Sequence, residues 1–456
     1  MLAILGFLTV IVMLVLIMTK KATPLVALVA VPVVAGVISS FFRLTETTEE
    51  GAEAVVNVMQ NIQNLGGYIT GPSGIGSVAA TGVMFIFSIL FFGVLTDAGT
   101  FRPIIKKILS LVGTDPVKIA VGTAILAAIV HLDGSGAVTF LICVPALLPL
   151  YDAIGMRRTT LATIVALSAG TMNILPWGGP TIRAATALGQ DNPTEFFMPV
   201  LPGVVAGMIC VLVIAVLLGK AEKSRIGNIQ LEGGAKYVEP ELSEEEKALL
   251  RPNLFAVNVI LIILAIVCLL KSGFAPAVVF MVFYVLATVI NYPSVKQSKE
   301  RVDAHAKACI MMCSVLFAAG CFTGIMKGTG MITAMAETLV AVIPASLGKL
   351  FPVIMGVISM PASLLFDPDS FYYGVLPVLA QTAEGLGVSA LSVGRAAILG
   401  QMTTGFPVSP LTASTFLLIG LAGVDLGEHQ KKTIPLAFLV TIVMLVVCVI
   451  AGGIEL

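Results

Sequence analysis

The sequence predicts an all-α integral membrane protein made of two inverted-topology repeats, each with a re-entrant hairpin and a discontinuous helix. Three observations carry that prediction. Of 456 residues, 57% are apolar and only 11% charged, against about 25% charged in a typical soluble domain, so most of the surface has to face lipid. Apolar runs of membrane-crossing length recur along the chain. Their order in the first half returns in the second half with the opposite side of entry.

The first run, 2–18, has its lysines only afterwards, at Lys20 and Lys21. That is the reverse of a signal peptide's charge order, so the run reads as a retained span entered from outside. Further runs lie at 23–42, 76–96, 159–187, 197–219, 253–270, 275–290, 308–326, 390–418 and 433–453, which makes ten spans. Phe101 to Val112 is a basic amphipathic stretch. The segments 118–150 and 349–383 are apolar, then polar, then apolar, with arms short for full crossings, and are expected to be hairpins. The first repeat then covers 1–219, with hairpin 118–150 and broken helix 159–187. A cytoplasmic connector, 220–251, contains the acidic helix start LSEEEKALL, and the second repeat, 252–456, has hairpin 349–383 and broken helix 390–418. With both termini outside, inner loops hold 20 of the 26 Lys and Arg residues, as the positive-inside rule requires.

Sequence echoes support the repeat. Asp133 in HLDGSG stands where Asp367 stands in LFDPDS, and Gly170, Met172 and Pro180 match Gly400, Met402 and Pro410 at one constant offset. Inverted repeats with discontinuous helices are the architecture of secondary transporters, whose site lies at the repeat interface near the bilayer midplane.

Proline and glycine fix where the helices stop. In Asn173 to Thr181, NILPWGGPT, two prolines and a glycine pair cannot continue a helix. A restart at mid-membrane leaves unpaired amides, a partial positive charge suited to a carboxylate. Thr403 to Thr412, TTGFPVSPLT, does the same in the other half with more hydroxyls. Candidate substrate-binding residues are therefore Asn173, Gly178, Gly179, Thr181, Thr403, Thr404, Ser409 and Thr412, with Arg183 two residues beyond the first break. The hairpin tips add Gly134, Ser135, Gly136 and Ser370.

Ionisable groups at membrane depth are costly and normally face a bundle interior or a watery cavity. Asp133, Asp367 and Asp369 are the candidate oxygen ligands for a hard divalent cation. A carboxylate in a partly desolvated tip can titrate near neutral pH, so Asp133 is the first candidate proton carrier, with Asp367 and His131 behind it. Trp177 is either a wall of the site or a packing residue, and Arg395 is expected to snorkel. Seven cysteines without CxxC spacing or a histidine cluster speak against a disulfide framework or a zinc site. No basic stripe suits nucleic acid, and no nucleophile and base stand at the spacing an enzyme needs.

At these motifs the chain resembles the citrate–metal:proton symporters of bacteria, within the ion transporter superfamily. The matching residues are MLAILGF at the start, ILFFGVLTDAG (Ile89 to Gly99), LDGSG at the first tip, GTMNILPWGGPTIRA (Gly170 to Ala184), FYYGVLPVLA (Phe371 to Ala380) and GLAGVDLGEHQ (Gly420 to Gln430). The resemblance implies proton-coupled import of citrate complexed with a divalent ion, Mg2+ or Ca2+ travelling as cargo and no cofactor bound permanently. It further implies a homodimer in the bacterial inner membrane that works by an elevator movement. Two rival expectations stay open: a proton- or sodium-coupled carrier of another organic anion (a dicarboxylate, gluconate or lactate), and a cation/proton antiporter. An antiporter would carry carboxylates without anion-cradling helix starts.

Overall fold

The computed structural model describes residues 1–19, 21–42, 45–47, 53–55, 57–226, 243–271 and 274–455. Lys20, Lys236 and Leu242, which the sequence reading places in inner loops and at the start of the connector helix, lie outside these residues. The chain is helical, as its composition requires. The exception among the described residues is a small antiparallel ribbon pairing Thr45–Thr47 with Glu53–Val55.

The first half opens with α1 (Leu2–Met18) and α2 (Pro24–Ser40), the latter capped by Thr23 with proline in its first turn. Next come α3 (Val58–Thr70), α4 (Ile75–Asp97) and the short basic α5 (Arg102–Val112). The first hairpin is α6 (Pro116–Val130) and α7 (Gly136–Ala153). The first broken helix is α8 (Arg158–Met172) and α9 (Gly179–Ala187), followed by α10 (Pro193–Phe197), which runs through one tight turn into α11 (Leu201–Ile226). The connector holds α12 (Glu244–Leu249), where Ser243 and Glu246 form a reciprocal capping box that satisfies two otherwise orphaned amides.

The second half follows a similar order, without counterparts of α3 and α10. It runs α13 (Phe255–Lys271), α14 (Pro276–Asn291), the long α15 (Val295–Gly328) and the short α16 (Met331–Val342). The second hairpin is α17 (Phe351–Ala362) and, after a six-residue π-turn over Ser370–Val375, α18 (Leu376–Gly385). The second broken helix is α19 (Ala390–Ile398) and α20 (Ala413–Ala422), and α21 (Leu426–Ile450) ends the chain.

Helix lengths revise the span count. Among the described residues seven helices are long and apolar enough to cross a membrane, or nine if each of two bent pairs forms one span, whereas ten were expected. Leu2–Ile17, Pro24–Ser40 and Pro276–Asn291 are apolar helices that fall just short of the 18-residue length. The first hairpin departs in the other direction: Pro116–Asp133 and Gly136–Ala153 each run 18 residues, about 27 Å of helix. Its arms are not short, so arm length no longer argues for re-entry there.

Helix packing is reciprocal between the halves. α4 packs on α14 and α15 packs on α2; α6 packs on α8 and on α11, as α17 packs on α19 and on α21. The result is two groups of helices. One contains α1 to α4 with α13 to α15, the other contains both hairpins, both broken helices, α11 and α21, and α16 packs between them on α1 and on α18. The first group is pinned at one end by Asp97, which accepts from Arg301 at 2.8 Å and lies 2.9 Å from His305. Nearby, Arg251 donates its amide to Ala98 and stacks on Tyr292, which seats the connector against α4.

Candidate functional site

Asp115 accepts the amides of Val117 and Lys118 and so starts α6. The arm ends in one tight turn, His131–Asp133, and Gly134 reverses the chain at φ 74°, a left-handed conformation that glycine adopts at no steric cost. Asp133 Oδ1 accepts the Ser135 amide at 2.8 Å, and Ser135 Oγ accepts the Val138 amide at 3.3 Å as the cap of α7. One carboxylate oxygen of Asp133 therefore shapes the tip. His131 is fully buried, with Nδ1 2.8 Å from the Thr139 hydroxyl and Nε2 3.3 Å from Asn173 Oδ1.

The first broken helix stops at Asn173, as proline and glycine dictate. Asn173 donates its amide to the Met402 carbonyl at 2.7 Å, a bond between the two broken helices. Thr181 Oγ donates to the freed Ile174 carbonyl, and Gly178 and Gly179 lead into α9. Trp177, 5% exposed, donates to the Leu132 carbonyl at 2.8 Å and stacks on Phe92. It braces the first tip against α4.

In the second tip Asp367 acts as a cap. Its Oδ1 accepts the amides of Asp369 and Ser370 at 3.1 Å each, and its Oδ2 accepts the Ser370 hydroxyl at 2.5 Å. Asp369, 7% exposed, accepts from Arg183 Nε at 2.7 Å, which ties the first break to the second tip by an ion pair largely removed from water. Arg183 curls back over the start of α9: a methyl on Gly179 would stand 2.7 Å from its Nη1.

The second broken helix unwinds over Gly400–Thr404, where Met402 has φ 51°, the one non-glycine residue with positive φ among the described residues. Strain of this kind persists only where surrounding contacts over-determine it. Here Ser363 Oγ accepts the Met402 amide at 2.8 Å, Tyr372 donates to the Gln401 carbonyl at 2.6 Å, and Asn173 holds the Met402 carbonyl. Thr404 bonds Thr441 at 2.6 Å and Ser409 donates to the Ser363 carbonyl. Thr412 donates to the Phe406 carbonyl at 2.7 Å. Thr403 Oγ is buried with no partner among the described residues.

Tips and breaks meet. A methyl on Gly170 would lie 2.9 Å from the Thr403 carbonyl, so the two broken helices cross in backbone contact. One on Gly136 would lie 2.7 Å from the Phe406 ring and 3.4 Å from Ser414 Oγ, which sets the start of α7 beside the start of α20. His131 stacks on Phe406. The first tip thus touches both breaks, and the second tip touches the first break through Arg183 and the second through Tyr372 and Ser363.

The three candidate carboxylates are not gathered. Among the described residues no group of three or more His, Cys, Asp and Glu could hold a metal ion. Sequence reasoning also passed over Thr139, Ser363, Tyr372, Gln401 and Phe406. Their one legible signal was position, four to eight residues from a tip or within a break. Arg395, expected to snorkel, donates Nε to the Phe196 carbonyl at 3.1 Å and lies over the Phe196 ring.

Two capped tips set against two broken helices in an apolar chain that is helical but for one short ribbon define a polytopic membrane transporter. The structure aligns with that of the Alcanivorax borkumensis YdaH transporter at TM-score 0.62, covering 94% of this chain and 97% of that one at 14% identity. It aligns with Neisseria gonorrhoeae MtrF at TM-score 0.59, covering 94% of each at 11% identity. These likenesses show a shared fold. Sequence similarity is more specific. The profile of the citrate transporter family (CitMHS) matches residues 7–400, and the chain belongs to that family. Two relatives from Bacillus subtilis (strain 168) are each 41% identical to it: a citrate transporter over 99% of both chains, and a Mg(2+)/citrate complex secondary transporter over 100% of both. The family and these relatives are transporters, not enzymes.

Proposed function

We propose that the chain is a secondary transporter carrying citrate as a complex with a divalent cation, coupled to proton entry, across the bacterial inner membrane with both termini outside. The observation that carries this reading is the character of the place where tips and breaks meet: several helix starts, one guanidinium paired with Asp369 and, among the described residues, no cage of protein ligands for a bare cation. Free citrate near neutral pH is a trianion. Chelation of a dication leaves one net negative charge, which helix starts can accept. The dication, Mg2+ or Ca2+, then takes most of its oxygen ligands from citrate and is completed by hydroxyls, carbonyls or Asp133. The 41% identity over full length to a Mg(2+)/citrate complex transporter supports the same cargo.

Within that reading the substrate-facing groups are Gly134, Ser135, Gly136, Asn173, Gly178, Gly179, Thr181, Arg183, Ser370, Thr403, Thr404, Ser409 and Thr412. Asp133 keeps one oxygen outside the tip's hydrogen bonds and is our first choice for proton carriage. Asp367 and Asp369 are already committed, to capping and to Arg183. The shared succession of hairpin, broken helix and closing helix, with the reciprocal packing, supports two inverted repeats; re-entry of the hairpins is part of the proposal. The group of helices holding tips and breaks would move as the elevator against the other group, in a homodimer.

Uptake of labelled citrate into liposomes is the test. Uptake should collapse when a chelator removes divalent ions and recover with one preferred metal, which enters alongside citrate. Citrate uptake indifferent to the chelator would replace this reading with plain organic-anion transport.

A further inference from the structure

The motif GLAGVDLGEHQ ends in two residues that the transport reading leaves without a task. Both reach into the second break. His429, fully buried, lies with Nε2 2.9 Å from the Pro407 carbonyl, and Gln430 donates Nε2 to the Val408 carbonyl at 2.9 Å. A carbonyl only accepts, so Nε2 carries the ring proton. The other ring nitrogen then faces the Thr433 hydroxyl at 3.3 Å, which in turn lies 2.8 Å from the Thr163 hydroxyl. Thr163 donating to Thr433, and Thr433 to Nδ1, satisfies every group in that chain with a neutral ring.

The remaining carbonyl of the turn, Phe406, accepts from Thr412 at 2.7 Å and Thr415 at 2.8 Å. All three carbonyls of Phe406–Val408 are therefore covered by side-chain donors. The first break is built differently. Its Ile174 carbonyl takes Thr181, its Leu175 carbonyl takes the Gly178 amide, and among the described residues no side chain of α11 donates to it. Among the described residues, the covering from the following helix is a property of the second half alone.

A helix broken inside a membrane presents two poles: amides at the restart favour anions, and carbonyls at the stop favour cations. We propose that His429 and Gln430 are positioning residues that close the carbonyl pole of the second break, leaving its amide pole at Thr412–Ala413 as the face a substrate meets. This fixes the charge preference of that half-site, and it rests on the reading of the break as part of an anion site. Without the two donors, the Pro407 and Val408 carbonyls would become free to draw in a monovalent cation and the start of α20 would loosen.

The test compares His429→Leu and Gln430→Leu with His429→Gln, which returns a donor near the position of Nε2, in the full chain reconstituted in liposomes. The leucine variants should raise the KM for Mg2+–citrate about tenfold, as loss of one buried hydrogen bond does, with Vmax within about twofold. They should also become sensitive to sodium or potassium where the parent is not, and His429→Gln should recover most of the affinity. Amide exchange over residues 409–415 should quicken in the leucine variants and not in His429→Gln; this arm needs no substrate, so it stands even if the parent carries no citrate. Parental KM and cation response in leucine variants whose exchange has quickened would overturn the proposal, as would His429→Gln behaving like His429→Leu. Gln430→Glu, which exchanges a donor for an acceptor at nearly constant size, carries the same comparison if the leucine variants fail to fold.

Discussion

Asp133 and Thr403 show how differently two residues of the proposed site can be held. Asp133 spends one oxygen on the Ser135 amide, so Asp133→Asn keeps the tip's shape while removing the ionisable group. Uptake driven by a pH gradient should then be abolished while exchange of substrate across the membrane continues, and a variant that still concentrates citrate under that gradient would move the proton carrier elsewhere. Thr403 has a buried hydroxyl with no partner among the described residues. Replacing such a group by an apolar one of the same shape is nearly neutral or stabilising, so Thr403→Val should melt no lower than the parent, yet bind metal–citrate about tenfold more weakly if that hydroxyl meets substrate. Unchanged affinity in titration calorimetry would remove Thr403 from the site. Much at this scale was legible because ionisable and helix-breaking residues stand out in an apolar chain. The strained Met402 was not, since nothing in its own chemistry asks for positive φ; Ser363, Tyr372 and Asn173 impose it from other elements.

Hairpins and broken helices were legible for a related reason: each is bounded by residues that cannot continue a helix. Asp115 is one such boundary. Its carboxylate caps α6 and accepts from Lys223 at 2.6 Å, and that hydrogen bond, with those from the Lys118 and Val117 amides, holds it below the usual carboxylate range despite some burial. A depressed folded-state value means the contribution is present above the ordinary carboxylate range and fades as pH falls through the lowered value. Asp115→Ala should cost about 1 kcal/mol as a lost cap, read as a lower melting temperature at neutral pH, and the gap to the parent should close in acid. A gap that persists at low pH would mean a different role for this residue. Elements the sequence hid are those too polar or too short to read as spans. Val58–Thr70 is polar on one face and carries two adjacent glycines, and Met331–Val342 is too short for a span and carries Glu337, although Asn57 and Gly71 bound the one and Gly330 and Pro344 the other. The second hairpin's π-turn over Ser370–Val375, which Asp367 precedes with local bonds to Asp369 and Ser370, is a detail that no periodicity encodes.

For the whole molecule, composition made the lipid-facing, helical character legible, but span count and the packing between the halves needed coordinates. α15 alone runs 34 residues, about 51 Å against a hydrocarbon core of about 30 Å, so its basic first turns project beyond the lipid, which hydropathy reports only as a shorter run. The chain has a single tryptophan, and it sits between the first tip and α4, bonded to Leu132 and stacked on Phe92. Nature has thereby installed one intrinsic optical probe at the seam between the two groups of helices. Its buried indole should emit at short wavelength in the apo protein, and any cargo that draws the tip away from α4 should red-shift that emission and admit an aqueous quencher. Emission that stays fixed while metal–citrate saturates the protein would mean that this seam does not open, and that the first tip and α4 travel together.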